Sequence, residues 1–492
     1  LGMAQARDTL GEDYKVLALI GDGALTGGLA YEGLSNAGQC GRQLLVILND
    51  NGMSIAQNVG AVAQHLASQR LKPPYLNFKQ TYRKVMNSCW LGRKIYRATH
   101  SLKKALKQSL LPCSMFENMG FTYLGPIDGH NLSYLTEILR YAGSLKEPVL
   151  LHVRTVKGKG FLPAEQNPDA FHGVSPFDPE TGEPRTPAGE NFSSVFGRSL
   201  VRLARGDQRI CALTAAMKGG TGLEDFAQAY PERFFDVGIA EGCAVSMAAG
   251  MAKQGAVPVF AVYSTFLQRS YDMLLHDVAI DRLHVVLAVD RAGLVGEDGE
   301  THHGVFDVGF LRQVPGLTIL CPGCRAELRE MLIWAVQKCD GPVAIRYPRG
   351  GDGAFLTAGR ETLFRVGRDI TLVTYGTMIN QVIPAADRLA AQGIEAEVLR
   401  LRTIKPLDME AVATSVRKTG RLLVVEEAQG VGSVGHELIE KLSQRGIPVI
   451  YGGQNIGDRF VTHGSLPELY HALSLDTDSI VRRAEEVVRR EK

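Results

Sequence analysis

Two polar triplets, Gly21-Asp22-Gly23 and Asn49-Asp50-Asn51, each close an apolar run, Val16 to Ile20 and Leu44 to Leu48, with a helix-length segment between them. Asp22 offers a carboxylate and Asn51 an amide oxygen, hard donors of the kind Mg²⁺ takes. If the runs are parallel strands of one βαβ unit, their C-terminal ends point the same way, and both side chains can converge on one cation. Mg²⁺ rarely sits in an all-protein cage and completes its octahedron with waters and phosphates. The pair therefore predicts a bound diphosphate. Gly, Asn and Asp also fill ordinary turns, so the reading rests on the combination: two triplets, each ending a buried strand, one helix apart.

A further carboxylate stands at a similar junction, where Val237-Gly238-Ile239-Ala240-Glu241 opens onto a small-residue helix, Ala244 to Ala252. Such a group can be a helix cap or dipole partner. The two triplets, however, resemble the diphosphate signature of thiamine-diphosphate enzymes. That cofactor needs a carboxylate at its aminopyrimidine nitrogen, so that the ring reaches the imino form that deprotonates the thiazolium carbon. A metal–diphosphate site in one domain and an activating Glu241 in the next support each other, because one cofactor spans both.

The elements that must position these residues follow from the punctuation of the chain. Its 492 residues suggest about three domains. Residues 1–175 alternate three buried-strand candidates (Val16 to Ile20, Leu44 to Leu48, Pro148 to Val153) with helices; 176–191, with four prolines, reads as a linker. A second block, 192–350, places strands at Ile210 to Leu213, Val257 to Val262, His284 to Val289, Thr318 to Leu320 and Val343 to Arg346. A third, 360–492, places them at Ile370 to Thr374, Glu395 to Leu401, Leu422 to Glu426 and Val449 to Tyr451. The fold class is α/β, three consecutive domains with largely parallel sheets.

Composition excludes several classes. Hydrophobic content of 45% with 22% charge is that of a globular protein, and the net charge of +2 gives the whole chain no nucleic-acid footprint. No apolar run reaches the ~18 residues that span a bilayer, and Leu1 to Asp8 is no signal peptide, so cytoplasm is the expected location. The eight cysteines are scattered as reduced thiols would be. Cys321-Pro-Gly-Cys324 has the spacing of a redox pair, but nothing around it reads as a thioredoxin unit. Between Asn51 and Phe116 stand eleven Lys or Arg and no Asp or Glu, interleaved with Tyr75, Phe78, Tyr82, Trp90 and Tyr96. With no RNA-binding motif beside it, this stretch, about 58–116, reads as a basic lid that attracts phosphorylated substrates.

Six further motifs make the resemblance specific: Gly21 to Gly28 (GDGALTGG), Asn49 to Ile55 (NDNGMSI), Pro126 to His130 (PIDGH), Tyr263 to Arg269 (YSTFLQR), Asp290 to Gly296 (DRAGLVG) and Arg346 to Gly350 (RYPRG). Over essentially its whole length the chain resembles the 1-deoxy-D-xylulose-5-phosphate synthases, transketolase-like thiamine-diphosphate enzymes. These condense pyruvate with glyceraldehyde 3-phosphate, releasing CO₂, for isoprenoid, thiamine and pyridoxal synthesis. The resemblance implies a thiamine-diphosphate-binding fold of the transketolase type, a site at the junction of the first two domains, and a homodimer.

Residue by residue, it implies that Asp22, Asn51 and the Met53 carbonyl hold Mg²⁺, that Gly23 and Ala24 face the diphosphate, and that Ile55, Phe161 and Phe266 pack the cofactor rings. Lys157 would reach the diphosphate or the lid. Arg291 and Arg349 would take the acceptor phosphate, which suits their planar fork of donors. Tyr263, Asp298 and His302 would line the reacting carbons, His302 shuttling protons near neutral pH. His172 matches another substrate position, and Arg269 stands with Glu241 among the catalytic residues. His303 is expected to be a bystander.

Two departures stand out. Gly242-Cys243 follows the activating Glu, where the family has Gln-His. Leu1 to Ala4 resembles the middle of a helix, so an upstream segment, on the same chain or a separate one, is expected to complete the first domain; without it a bare sheet edge would remain. The alternatives are another transketolase-like thiamine-diphosphate enzyme, or an inactive fragment or subunit of a split synthase.

Overall fold

A computed structural model describes residues 1–53, 115–174, 176–185, 189–356 and 362–490. Ile55 and all of the expected lid up to residue 114 lie outside the described residues. By compactness the chain divides into two units, Leu1–Pro187 with Gly238–Ala240, and Ala188–Val237 with Glu241–Lys492.

Among the described residues, the first unit is built on a four-stranded parallel sheet: β1 (Leu17–Gly21), β2 (Leu45–Asp50), β3 (Thr122–Asp128) and β4 (Val149–Arg154), in the order β1-β2-β4-β3. Residue alternation along β2 explains its central place. Val46 and Leu48 enter one core with Leu25, Leu34 and Leu150, while Leu45 enters another with Val149, Leu151 and Val153. A strand buried on both faces must be apolar throughout, as the parallel arrangement requires. The crossover from β1 to β2 is the helix Gly28–Cys40, which ends where Gly41 takes a left-handed φ of 62°.

The sequence reading missed β3. Gly125-Pro126 interrupts its apolar run, and the register shifts between Leu124 and Ile127. Proline is tolerated there because β3 is an edge strand. The opposite edge, β1, exposes Leu17 (54%) and Leu19 (73%). The proline-rich stretch expected to be a linker carries an antiparallel bridge between Phe177 and Pro184, and Phe177 packs its ring against Phe161 and Phe171.

The second unit contains two sheets. The first comprises β5 (Ile210–Thr214), β6 (Phe234–Asp236), β7 (Val257–Tyr263), β8 (Val286–Asp290), β9 (Thr318–Leu320) and β10 (Val343–Arg346). The second comprises β11 (Leu363–Arg365), β12 (Ile370–Tyr375), β13 (Ala396–Leu401), β15 (Arg421–Val425) and β16 (Ile450–Gln454), in the order β11-β13-β12-β15-β16. Between β13 and β15, β14 (Thr403–Lys405) leaves the second sheet and pairs antiparallel with β9, giving the first the order β14-β9-β10-β8-β7-β5-β6. Every residue of β7 and β8 is buried, as both faces of a mostly parallel sheet demand. β6 was also missed in the sequence; Phe234–Asp236 is too short for a period to show. Among the described residues, no helix is long and apolar enough to cross a membrane.

Candidate functional site

In the first unit the expected metal-site residues stand at the C-terminal ends of neighbouring parallel strands, where Gly21 of β1 is in register with Asn49 of β2. Asp22 is buried at the start of a short helical turn, Asp22–Thr26. One of its carboxylate oxygens accepts the Gly23 N–H (3.2 Å) and the other the Gly52 N–H (2.7 Å), so the first triplet reaches the residue that follows the second. The Asn51 amide oxygen accepts the Met53 N–H at 3.0 Å. Gly23 is buried, Ala24 half-buried. Among the described residues no three His, Cys, Asp or Glu side chains gather as a metal cluster. The expected set draws on one such side chain only, with an amide and a main-chain oxygen, a donor set of the hardness Mg²⁺ takes.

Lys157 and His172, singled out separately in the sequence, touch: the Lys157 ammonium lies 3.0 Å from His172 Nδ1. Burial lowers both pKa values, and the lysine's charge lowers that of His172 further. Phe161 packs edge-on against Phe171, with ring centroids 5.5 Å apart.

Sequence reasoning missed a buried relay below the second triplet. Asp50 faces His152 Nε2 at 2.8 Å, and His152 Nδ1 lies 2.7 Å from the Tyr123 hydroxyl. It ties β2, β4 and β3 together. The one sequence signal was a histidine within the apolar run of β4.

In the second unit the expected residues cluster at the C-terminal ends of β7, β8 and β10, the end of a parallel sheet where ligands bind. Glu241, buried, is the first residue of the helix Glu241–Lys253, where a carboxylate meets the positive end of the dipole. Arg269 Nη1 donates to both carboxylate oxygens, at 3.0 and 3.1 Å, and its guanidinium lies 5.5 Å over the Phe266 ring. Phe266 in turn stacks on Tyr263 (5.9 Å) and meets the His302 ring edge-on (5.4 Å). Glu241, Arg269, Phe266, His302 and Tyr263 thus form one continuous surface.

Tyr263 continues it to the arginines. The Arg291 guanidinium covers the Tyr263 ring at 3.9 Å. Arg291 Nη1 and Arg349 Nη1 donate to the same oxygen of Asp298, at 2.9 and 2.7 Å. Both arginines, with Ser193 and Gly220, line a cavity of about 360 Å³. Two cations sharing one carboxylate in a cavity keep further N–H donors that could bind an anion such as a phosphate. Burial raises the Tyr263 pKa, and burial, ahead of the neighbouring charges, lowers that of His302. A lowered value keeps the His302 imidazole neutral at pH 7, ready to accept a proton.

His303 is buried, accepting the Val295 N–H at 3.1 Å with Nε2 beside the Thr462 carbonyl, a structural role. Gly242 lies where an added Cβ would come 3.0 Å from the end of Met273, and Cys243 is exposed. Cys321 and Cys324 are buried; burial pushes the Cys321 thiol up to about 12 and raises Cys324 too, which leaves neither a reactive thiolate. The sequence reading also passed over Asp290, fully buried at the end of β8 and pushed up to about 7 by that burial.

Comparison with known proteins identifies the family. Residues 1–155 match the family model described as 1-deoxy-D-xylulose-5-phosphate synthase, 190–351 the transketolase pyrimidine-binding domain, and 360–480 the transketolase C-terminal domain. A 1-deoxy-D-xylulose-5-phosphate synthase of Desulforudis audaxviator is 48% identical over 99% of this chain and 78% of its own length. One from Heliobacterium modesticaldum is 46% identical over 99% of this chain and 77% of its own. Among solved structures, a split-gene transketolase, an inactive β4 tetramer, superposes with a TM-score of 0.55 at 28% identity, covering 61% of this chain and 99% of that one. On sequence and fold alike, the chain belongs to the 1-deoxy-D-xylulose-5-phosphate synthases, transferases of the transketolase type.

Proposed function

We propose that the protein condenses pyruvate with D-glyceraldehyde 3-phosphate, releasing CO₂ and forming 1-deoxy-D-xylulose 5-phosphate, with thiamine diphosphate and Mg²⁺. The observation that carries this reading is the surface from Glu241 through Phe266 and Tyr263 to the Arg291–Asp298–Arg349 cluster. It sets a buried carboxylate and a paired cationic site on one sheet end. Membership in the synthase family supports it independently. When bound, thiamine diphosphate supplies the carbon nucleophile and electron sink that let CO₂ leave pyruvate.

The residues of this chain do the rest. Asp22, Asn51 and the Met53 carbonyl would hold Mg²⁺ against the diphosphate, with Gly23 and Ala24 beside it. Glu241, held by Arg269, would bond the aminopyrimidine nitrogen, and Phe266 would pack the ring. Arg291 and Arg349 would bind the acceptor phosphate and fix the aldehyde relative to Tyr263. His302 would deliver a proton to the aldehyde oxygen as it becomes a hydroxyl and take up the proton lost as the product's carbonyl forms, and Asp298 would steady both arginines until phosphate arrives. Lys157 would reach the diphosphate, His172 the substrate, and Phe161 would pack the cofactor rings.

The reading includes a cytoplasmic homodimer. Thermal unfolding tests cofactor use: a ligand that binds only the folded state must raise the melting temperature. Thiamine diphosphate with Mg²⁺ is expected to stabilise the wild type and to stabilise D22A far less. No stabilisation of the folded wild type contradicts the cofactor assignment.

A further inference from the structure

Arg291, one of the two arginines of the proposed anion site, sits in a backbone conformation that side chains avoid, with a φ of +57°. Something must hold it there. Its own N–H donates to one carboxylate oxygen of Asp290 at 2.7 Å, and the Ser193 hydroxyl donates to the other at 2.6 Å. Asp290 is fully buried at the last position of β8, in register with Tyr263 of β7. On the far side, an added Cβ on Gly304 would come 2.3 Å from the Arg291 carbonyl, so the peptide packs directly against the Gly304 backbone. Ser193 lies in the first turn of the helix Phe192–Gly206 and lines the same cavity as the two arginines.

We infer that Asp290 is a positioning residue for the phosphate clamp: through the Arg291 peptide and Ser193 it fixes the left-handed turn that lays the guanidinium over Tyr263 and beside Asp298. A backbone relaxed into an ordinary conformation would swing that side chain away from Tyr263, and Arg349 alone would face the anion. The buried carboxyl contacts no substrate in this scheme and acts only through Arg291. Its burial has no other use in the proposed chemistry, and a buried carboxyl is retained only where its bonds are made.

The inference rests on the phosphate-binding role proposed for Arg291 and Arg349, and the test separates the two. Glycerol 3-phosphate, an unreactive phosphorylated three-carbon probe, is titrated calorimetrically into the full chain as wild type, R349A, D290A and D290N. R349A binding the probe as tightly as wild type overturns the phosphate role itself. With that role upheld by loss in R349A, D290A is expected to weaken binding about tenfold, the loss of a well-placed charged contact. D290N keeps an oxygen for the Arg291 N–H and is expected to stay within about threefold of wild type, a rescue that a merely structural lesion would not give. Binding of D290A at wild-type strength, or equal weakening in D290A and D290N, overturns the inference. If D290A does not fold, S193A takes its place, leaving the backbone alone; weakening of about threefold supports the inference and unchanged affinity overturns it.

Discussion

His302 and Tyr263 turn individual physical features into measurable behaviour. Burial lowers the His302 pKa, so its neutral, proton-accepting form persists to lower pH than in a free histidine. At saturating substrates, kcat is expected to hold level as pH falls through about 6.5, the ordinary histidine value, and to drop only below it. H302N should remove that limb; a drop centred above the ordinary value contradicts the assignment. Tyr263 depends on a residue with no side chain: a Cβ on Gly220 would lie 1.7 Å from its hydroxyl. G220A is expected to displace the ring, costing about 1–3 kcal/mol of stability and lowering kcat more than the affinity for thiamine diphosphate. Unchanged turnover would show that the Tyr263 position is not needed. Side-chain type and position at strand ends or in quoted motifs made Glu241, Arg291 and Arg349 legible from sequence, and the family resemblance alone offered Asp298. Gly220, Ser193 and Asp290 were not legible, because their roles come from neighbours far along the chain.

The strands show where periodicity suffices and where it fails. The central strands β2, β4, β7 and β8 are buried on both faces, so their continuous apolar runs announced them. Edge strands carry weaker patterns: β3 is broken by Gly125-Pro126, and β14 has three residues that pair outside the sheet of its neighbours in sequence. The Asp50–His152–Tyr123 relay binds three strands of the first sheet. H152A, which removes a hydrogen-bond partner from buried Asp50, is expected to cost about 1–3 kcal/mol in urea unfolding, while no loss would mean that water or another group replaces the imidazole. The β1 edge makes the opposite kind of prediction. With Leu17 and Leu19 exposed on an edge strand, the protein should self-associate as concentration rises, and L17K/L19K should suppress this in light scattering. Equal association in the variant would place the sticky surface elsewhere.

Across the whole molecule, three α/β blocks were legible because helix and strand periods alternate throughout. Their grouping into two compact units was not, since β14 joins the sheet of the second block only through tertiary pairing. The candidate site was legible to the extent that its residues stand at strand ends, as Asp22, Asn51, Tyr263 and Arg291 all do. The function follows most directly from what the protein makes. Incubated with pyruvate, D-glyceraldehyde 3-phosphate, thiamine diphosphate and Mg²⁺, the folded protein should yield 1-deoxy-D-xylulose 5-phosphate and one CO₂ per product, identified by NMR and mass spectrometry. E241Q should lose turnover while remaining folded. A different ketose phosphate, or no product from a wild type that binds thiamine diphosphate, would contradict the assignment.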